Sequence, residues 1–121
     1  DVRMKGWAIE ARINAEDPAA DFRPSPGEVT RFSLPVGPLG AGRVRLDAAV
    51  EAGSRISPYY DSMVGKVIAW GPDRAAAIAV MSQALAALDI QGVQTTAPLQ
   101  RQIVASKTFA AGDLRVGEIP L

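Results

Sequence analysis

The sequence predicts an α+β domain, in which two helices pack on an antiparallel sheet or a small barrel-like sandwich. The first half of the chain consists of short runs that alternate apolar and polar residues, separated by frequent Pro and Gly. After Gly71 the apolar period changes to that of a helix. Strands followed by helices are typical of the α+β class. A chain of 121 residues suffices for one domain with an ordinary core.

The first predicted strand runs from Lys5 to Ala15. From Trp7 onward its odd positions are all apolar, whereas the even positions carry Glu10, Arg12 and Asn14 in a row. Because strand side chains alternate between two faces, the apolar row fits a core and the polar row lies opposite. Alternation alone leaves two interpretations of that polar row, a solvated face or half of a functional site.

Further strands are expected at residues 28–34 and 43–50. A Ser-Pro-Gly turn signal precedes the first of them. Residues 34–44 contain more Gly and Pro than the interior of an element tolerates, so we expect a loop between the two strands.

A central strand covered on both sides is predicted at residues 63–70, because this run is apolar on both faces except for Lys66. The preceding Tyr59 and Tyr60 are expected to pack at the end of this strand. Asp61 is expected to accept hydrogen bonds from backbone N–H groups in a turn. The alternative is a catalytic role for these tyrosines and the aspartate.

Two helices are expected in the second half of the chain. Asp73 has the properties of an N-cap, and apolar residues then recur at helical spacing. A shorter helix is expected to begin with Thr96 as its cap and to bury Leu99 and Ile103. For residues 109–121 we expect irregular structure, since Gly and Pro interrupt any periodicity.

Composition excludes several classes of function. Lys plus Arg equals Asp plus Glu at 13 each, so no net field attracts nucleic acid or an anionic membrane. The chain has neither Cys nor His, which excludes disulfides, thiol nucleophiles, Cys/His zinc sites and Ser-His-Asp triads. No run approaches the roughly 20 apolar residues of a membrane span. We expect a cytoplasmic protein without nucleic-acid or membrane partners.

Four separated motifs resemble the C-terminal domain of biotin carboxylases. They are GWAIEARINAEDP from Gly6, RPSPGEVTRF from Arg23, VRLDAAVEAGSRISPYYDSMVGKVIAWG from Val44 and IQGVQTT from Ile90. They occur in the order of that family and cover nearly the whole chain. The resemblance implies the biotin carboxylase C-terminal fold, as one domain over residues 1–121. Since the chain begins with Asp rather than Met, we expect it to be a piece of a longer multidomain enzyme.

The resemblance also implies an activity, that of an acetyl-CoA or propionyl-CoA carboxylase. Family enzymes use ATP, Mg and bicarbonate to carboxylate N1 of biotin on a carrier domain. The implied partners are the ATP-grasp and N-terminal domains of the same enzyme, the biotin carboxyl carrier domain and a carboxyltransferase, and the parent enzyme is a candidate homo-oligomer. This chain has no phosphate-binding loop and no metal-ligand set, so we expect it to hold no cofactor and to be inactive alone. The alternatives are pyruvate or urea carboxylase, and a purely structural or oligomerisation module.

Within the family pattern, Arg12 matches an arginine that contacts biotin in the active site. A guanidinium keeps its charge at any working pH and offers a rigid fork of donors, which suits negative charge that develops on the substrate. Glu10 and Asn14 lie about 7 Å from Arg12 along the same strand face. They are candidates to orient it, or else they are surface polar residues.

Two other positions also match the family pattern. Val116 aligns, by its distance from Phe109, with an aliphatic residue that packs on adenine; core or tail packing is the alternative. Arg45 matches an arginine of a homodimer contact, although the segment before it is longer than in the bacterial acetyl-CoA carboxylase subunit. That longer segment, and Trp7 where bacterial acetyl-type subunits usually have His, point toward the acyl-CoA group.

Overall fold

The computed structural model describes residues 2–119 of the chain. Nine strands precede the first of three α-helices, and a tenth strand lies between the first helix and the second. This order confirms the α+β prediction. The strands are β1 (Trp7–Asn14), β2 (Glu16–Asp17), β3 (Arg23–Pro24), β4 (Gly27–Glu28), β5 (Arg31–Ser33), β6 (Gly37–Leu39), β7 (Gly42–Ala48), β8 (Arg55–Ile56), β9 (Met63–Gly71) and β10 (Asp89–Gln91). The helices are α1 (Arg74–Ala87), α2 (Ala97–Ala105) and α3 (Lys107–Ala111).

The main sheet has four antiparallel strands in the spatial order β1-β9-β7-β6. The apolar row of β1 faces inward as predicted, and Ala11 and Ile13 are each 2% exposed. Helix α1 covers this inner face with a buried stripe of small and aliphatic residues: Ala77, Val80, Met81, Ala84 and Leu85. The prediction that β9 is covered on both sides is wrong within the described chain, since Lys66 and Ile68 on its outer face are only half-buried.

The predicted strand at residues 28–34 is two strands in the structure. β4 pairs with β8, whereas β5 pairs with β10. Between them the backbone changes partners: Val29 N donates to Ser54 O at 2.8 Å and Thr30 N to Gln91 O at 2.9 Å. Val29 is completely buried at this junction, although alternation within one strand would place it beside exposed Arg31.

The loop predicted at residues 34–44 contains a β-hairpin instead. β6 pairs with β7 through Gly37, Pro38 and Leu39, and only Gly40 and Ala41 lie between the strands. β6 is the edge strand of the sheet, which is where a strand tolerates Pro because one side of its backbone needs no partner. Richness in Gly and Pro therefore marks an edge here and does not exclude a strand.

Helix α1 begins as predicted, since the carboxylate of Asp73 accepts a hydrogen bond from Ala76 N at 2.8 Å. Thr96 precedes α2 but makes no side-chain cap hydrogen bond. The fully buried residue of α2 is Val104, whereas Leu99 and Ile103 are only half-buried.

The tail was expected to be irregular, but its first part is helical, because α3 includes Phe109. Pro120 and Leu121, the end of that tail, lie outside the described residues. Within residues 2–119 no helix has the length and apolar character to cross a membrane.

Candidate functional site

The outer face of the main sheet carries a row of charged side chains. Arg12 on β1 pairs in register with Lys66 on β9, which in turn pairs with Asp47 on β7. Because directly opposed residues of an antiparallel pair point to the same side, these three side chains share the face away from α1. The side chain of Arg12 is 52% exposed. Its guanidinium is therefore accessible from outside the sheet.

Arg12 is held by Asp61, which lies 49 positions further along the chain. Arg12 Nη2 donates to Asp61 Oδ2 at 3.0 Å and to Asp61 Oδ1 at 3.3 Å. In the described residues the other guanidinium nitrogens, Nε and Nη1, have no protein acceptor, so they can donate to a ligand. An exposed pair of this kind contributes little to stability. The pair instead orients the guanidinium of Arg12: Asp61 holds one nitrogen, and the remaining donors face solvent.

Asp61 is itself fixed by the turn that leads into β9. Its Oδ1 accepts a hydrogen bond from Met63 N at 3.0 Å, as the sequence predicted for an aspartate in this turn. The expectation for the two preceding tyrosines is wrong. Tyr59 and Tyr60 are 89% and 83% exposed, so they do not pack at the strand end.

Asn14 supports the same turn through Ser62, the neighbour of Asp61. Asn14 Nδ2 donates to Ser62 Oγ at 3.2 Å, and Ser62 Oγ donates to Glu16 Oε2 at 2.7 Å. A β-bulge between Ile13 and Asn14 shifts the register so that Asn14 faces Met63. Bulges re-aim side chains beside functional sites. Here the bulge places the amide against the turn that carries Asp61.

Neither predicted orienting residue contacts the guanidinium of Arg12. The nearest link from Asn14 runs through Ser62 to the backbone of Asp61. Glu10 is exposed and makes no side-chain hydrogen bond among residues 2–119; its register partner on β9 is Ile68. The carboxylate of Asp61 reaches Arg12 from another element instead.

Helix α2 fixes the backbone of this part of β1. Gln100 Nε2 donates to Arg12 O at 3.1 Å. Asn14 N donates to Thr96 Oγ1 and Thr96 N donates to Asn14 O, both at 3.0 Å. The hydroxyl of Thr96 thus ties α2 to the strand and does not cap the helix. Arg12 therefore projects from a backbone held on one side by β9 and on the other by α2.

Two other predicted residues lie apart from this cluster. Val116 is fully exposed in the segment after α3. Arg45 lies on the outer face of β7, where Nε and Nη2 bond the two carboxylate oxygens of Asp47 at 3.1 and 3.2 Å. No hydrogen bond or ion pair in the described chain joins either residue to Arg12. The structure thus brings Arg12, Asp61 and Asn14 together.

Sequence reasoning missed Asp61 as the partner of Arg12. It assigned this aspartate to a turn, which is correct, but that assignment uses only one of its two oxygens. A signal was present in the paired strands: if β1 is placed beside β9, the turn at the start of β9 lies next to the end of β1 where Arg12 stands. Strand pairing was not predicted residue by residue, so the contact was not visible.

The described residues can be compared with what a metal ion or a urea-like ring requires of its ligands. Within residues 2–119 no cluster of three or more Asp, Glu, His or Cys side chains has a metal-site arrangement, so we assign no step to Mg on this chain. The donors of Arg12 do fit the carbonyl oxygen of a urea-like ring, since both are planar and the guanidinium offers only donors.

Comparison with known proteins decides the family. The model of the biotin carboxylase C-terminal domain matches residues 10–120. The chain belongs to the biotin carboxylase C-terminal domain family. Biotin carboxylase 1 of Bacillus subtilis is 49% identical to this domain over 113 residues, which are 93% of this chain and 24% of the relative. The domain thus spans about a quarter of the length of that relative.

Solved structures give the same family and fold. The biotin carboxylase domain of Hydrogenobacter thermophilus 2-oxoglutarate carboxylase, a dimer in complex with MgADP, ADP and bicarbonate, aligns with a TM-score of 0.82 at 42% identity. That alignment covers 92% of this domain and 24% of the solved chain. Kluyveromyces lactis urea carboxylase aligns with a TM-score of 0.91 at 35% identity, over 99% of this domain and 10% of the solved chain. The recognition made from the four motifs is confirmed.

Proposed function

We propose that this biotin carboxylase C-terminal domain works in the first half-reaction of an acyl-CoA carboxylase. In that half-reaction ATP and bicarbonate carboxylate N1 of carrier-bound biotin. The observation that carries the proposal is the exposed guanidinium of Arg12, anchored by one nitrogen to Asp61 with its other donors facing outward. This domain supplies that arginine, whereas the ATP-grasp and N-terminal domains of the parent enzyme supply the phosphate and Mg sites.

Arg12 acts on the biotin ureido oxygen. When N1 loses its proton, negative charge spreads onto this oxygen, and a fixed cationic donor stabilises the charge more than it stabilises the neutral ring. The anchor on Asp61 makes the donor preorganised, so little rearrangement accompanies the proton transfer. Arg12 is therefore the catalytic residue of this domain, and Asp61 and Asn14 are positioning residues.

The acceptor class is argued from two features of the sequence. Trp7 and the long segment before Arg45, which contains the β6–β7 hairpin, favour an acyl-CoA acceptor. Pyruvate and urea are the alternatives, since the family includes carboxylases of both kinds. Incubating the complete enzyme with acetyl-CoA, propionyl-CoA, pyruvate or urea tests this point; carboxylation of pyruvate or urea alone would overturn the acyl-CoA assignment.

Asp61→Asn is expected to lower kcat/KM for biotin by about 10- to 100-fold, because a guanidinium that is no longer anchored leaves the productive geometry. Asn keeps an oxygen for the hydrogen bond from Met63 N, so the turn should persist. Steady-state biotin-dependent ATP cleavage by the complete enzyme is the measurement.

Asp89→Asn is the matched control for this change. Asp89 also bonds one exposed arginine, Arg31, at 2.6 Å, but on the separate β5–β10 sheet. Its loss should leave the kinetics unchanged. Equal losses in the two variants, or none in Asp61→Asn, would remove Asp61 from the site.

We also propose that Arg45 contributes to a contact between two copies of the parent enzyme. The Arg45–Asp47 pair lies on the open outer face of the sheet, with 71% and 50% of the two side chains exposed. Arg45→Glu would place two carboxylates side by side on this face, and like charges oppose association. Light scattering should show a dimer dissociating at concentrations where the parent enzyme stays paired.

Arg101→Glu, an exposed arginine on α2, makes the same change of charge on the helical side and should leave the mass unchanged. If Arg45→Glu also leaves the mass unchanged, the face has no interface role. Oligomerisation as the sole role of the domain would be supported only if Arg45→Glu, and not Arg12→Ala, abolished turnover.

A further inference from the structure

Arg74 lies between two aromatic rings contributed by opposite ends of the described chain. Its Cζ is 5.9 Å from the centroid of the Trp7 ring and 5.1 Å from that of Phe109. Both distances fall within the range of a cation–π contact. Arg74 is the first residue of α1, Trp7 begins β1 and Phe109 is in the middle of α3. The side chain of Arg74 therefore connects β1, α1 and α3.

The guanidinium also binds the backbone of α3. Arg74 Nη2 donates to the carbonyl oxygen of Phe109, which also accepts from Gly112 N at 3.0 Å. Gly112 ends α3 in the left-handed conformation, with φ of 72°. A cation at the carbonyl end of a helix is favourably placed. Arg74 thus holds α3 through its ring and through its C-terminal turn.

Little else in the described chain fixes α3. The helix has five residues and no fully buried side chain, and a helix this short is not stable without tertiary contacts. It also contacts α2, which directly precedes it in the chain. The contacts of Arg74 with Trp7 and Phe109 are therefore the link that sets the direction of α3 relative to β1.

The segment beyond α3 depends on that link. Residues 113–119 are all exposed, and three of them are large apolar side chains: Leu114, Val116 and Ile119. Such side chains are available to a ligand or to another domain of the same protein. Because the segment has no buried anchor of its own within the described chain, its position follows from α3 and hence from Arg74.

We propose that Arg74 is a positioning residue for nucleotide binding, acting through Phe109 and α3 on the segment that carries Val116. The proposal rests on the proposed function and on the expectation, from the family resemblance, that Val116 packs on adenine. Arg74 does not touch the nucleotide. It determines the position of the Val116 side chain. Its effect should therefore fall on ATP affinity and not on the chemical step.

The test compares Arg74→Met, Val116→Ala and the double variant in the complete enzyme. Val116→Ala should raise KM for ATP about fivefold through lost apolar contact. Arg74→Met should raise it by a similar factor with kcat within about twofold of the parent value. Because both changes remove the same contact, the double variant should be little worse than either single one. Arg74→Lys should fall between, since it keeps the charge but loses the planar stacking.

Three outcomes distinguish a failure of the role proposed for Arg74 from a failure of the adenine contact of Val116. A normal KM for ATP in Arg74→Met, with a raised KM in Val116→Ala, overturns the role of Arg74 and leaves the adenine contact standing. A normal KM in Val116→Ala overturns the adenine contact and the inference with it. A double variant whose effects multiply shows that the two residues act independently, which also overturns the inference.

A control and a second measurement cover a loss of folding. Arg101→Met removes an exposed arginine from α2 and should change neither KM nor kcat. If Arg74→Met does not fold, Arg74→Lys carries the kinetic test. Amide hydrogen exchange then reports on α3, where Gly112 N and Asp113 N should exchange faster than in the parent enzyme while α1 is unchanged. Unchanged exchange at both amides would contradict the proposal.

Discussion

Replacing Arg12 with alanine is expected to lower biotin-dependent turnover of the complete enzyme by about 100- to 1000-fold, the usual cost of removing one donor to a developing negative charge. The reason is that Arg12 is exposed and preorganised at once. Its side chain is 52% exposed, so a ligand can reach it, while Asp61 fixes one of its nitrogens at 3.0 Å. Alanine removes the donor and leaves the strand intact.

The fold should survive this change, because exposed ion pairs contribute little to stability. The backbone of residue 12 keeps its hydrogen bond from Gln100 and its pairing with β9. Thermal unfolding of Arg12→Ala should therefore match that of Arg31→Ala, which removes another exposed arginine with a single aspartate partner. Arg31→Ala should keep normal turnover.

Arg12→Lys sharpens the interpretation. Lysine keeps the charge but not the planar fork, which bonds Asp61 and, in the proposed function, also bonds the ureido oxygen. We expect it to recover only part of the activity. Near-normal turnover of Arg12→Ala would refute the catalytic assignment, and full recovery in Arg12→Lys would show that charge alone is needed and that the anchor on Asp61 is irrelevant.

The elements predicted correctly are those whose signals are local. The alternation of β1 and the cap at Asp73 each depend on a few neighbouring residues, and both are found in the structure. The position of Arg12 on the outer face likewise follows from the period of two. These predictions needed no knowledge of which strands pair.

The errors arise where pairing decides the outcome. Pro38 is compatible with β6 only because that strand is an edge. Asp61 meets Arg12 only because β9 lies beside β1, across 49 residues of sequence. Composition cannot distinguish an edge strand from a loop, nor a turn aspartate from one that also binds an arginine. Both require the topology first.

The backbone changes its pairing partner between β4 and β5, and this change accounts for a glycine in one of the family motifs. Residues 28–34 read as one strand because their side chains alternate, but the backbone at Val29 and Thr30 turns from one neighbouring strand to another. Such an exchange requires a second segment to approach the junction closely. That segment is the turn at Gly92, in the motif IQGVQTT.

Gly92→Ala is expected to destabilise the domain by about 3–5 kcal/mol, combining strain at an unfavourable φ with overpacking. Gly92 has φ of 100°, a conformation that L side chains rarely adopt. A Cβ at this position would also overlap the carbonyl oxygen of Glu28 and lie 3.0 Å from Thr30 N. These are backbone atoms, which cannot move aside without loss of the pairing between β5 and β10.

Gly53→Ala separates the two causes. Gly53 has φ of 94°, nearly that of Gly92, but no atom lies within 4 Å of its added Cβ. Gly53→Ala should therefore lower the free energy of unfolding through backbone strain alone, by about 1–3 kcal/mol.

Urea unfolding of the 121-residue chain measures both variants. Because domains of this size are stable by only about 5–15 kcal/mol, Gly92→Ala should lose a large share of the total and Gly53→Ala a modest one. If the two variants unfold at the same urea concentration, close approach of Gly92 to Glu28 does not constrain the fold, and the glycine of this motif is needed for its φ alone.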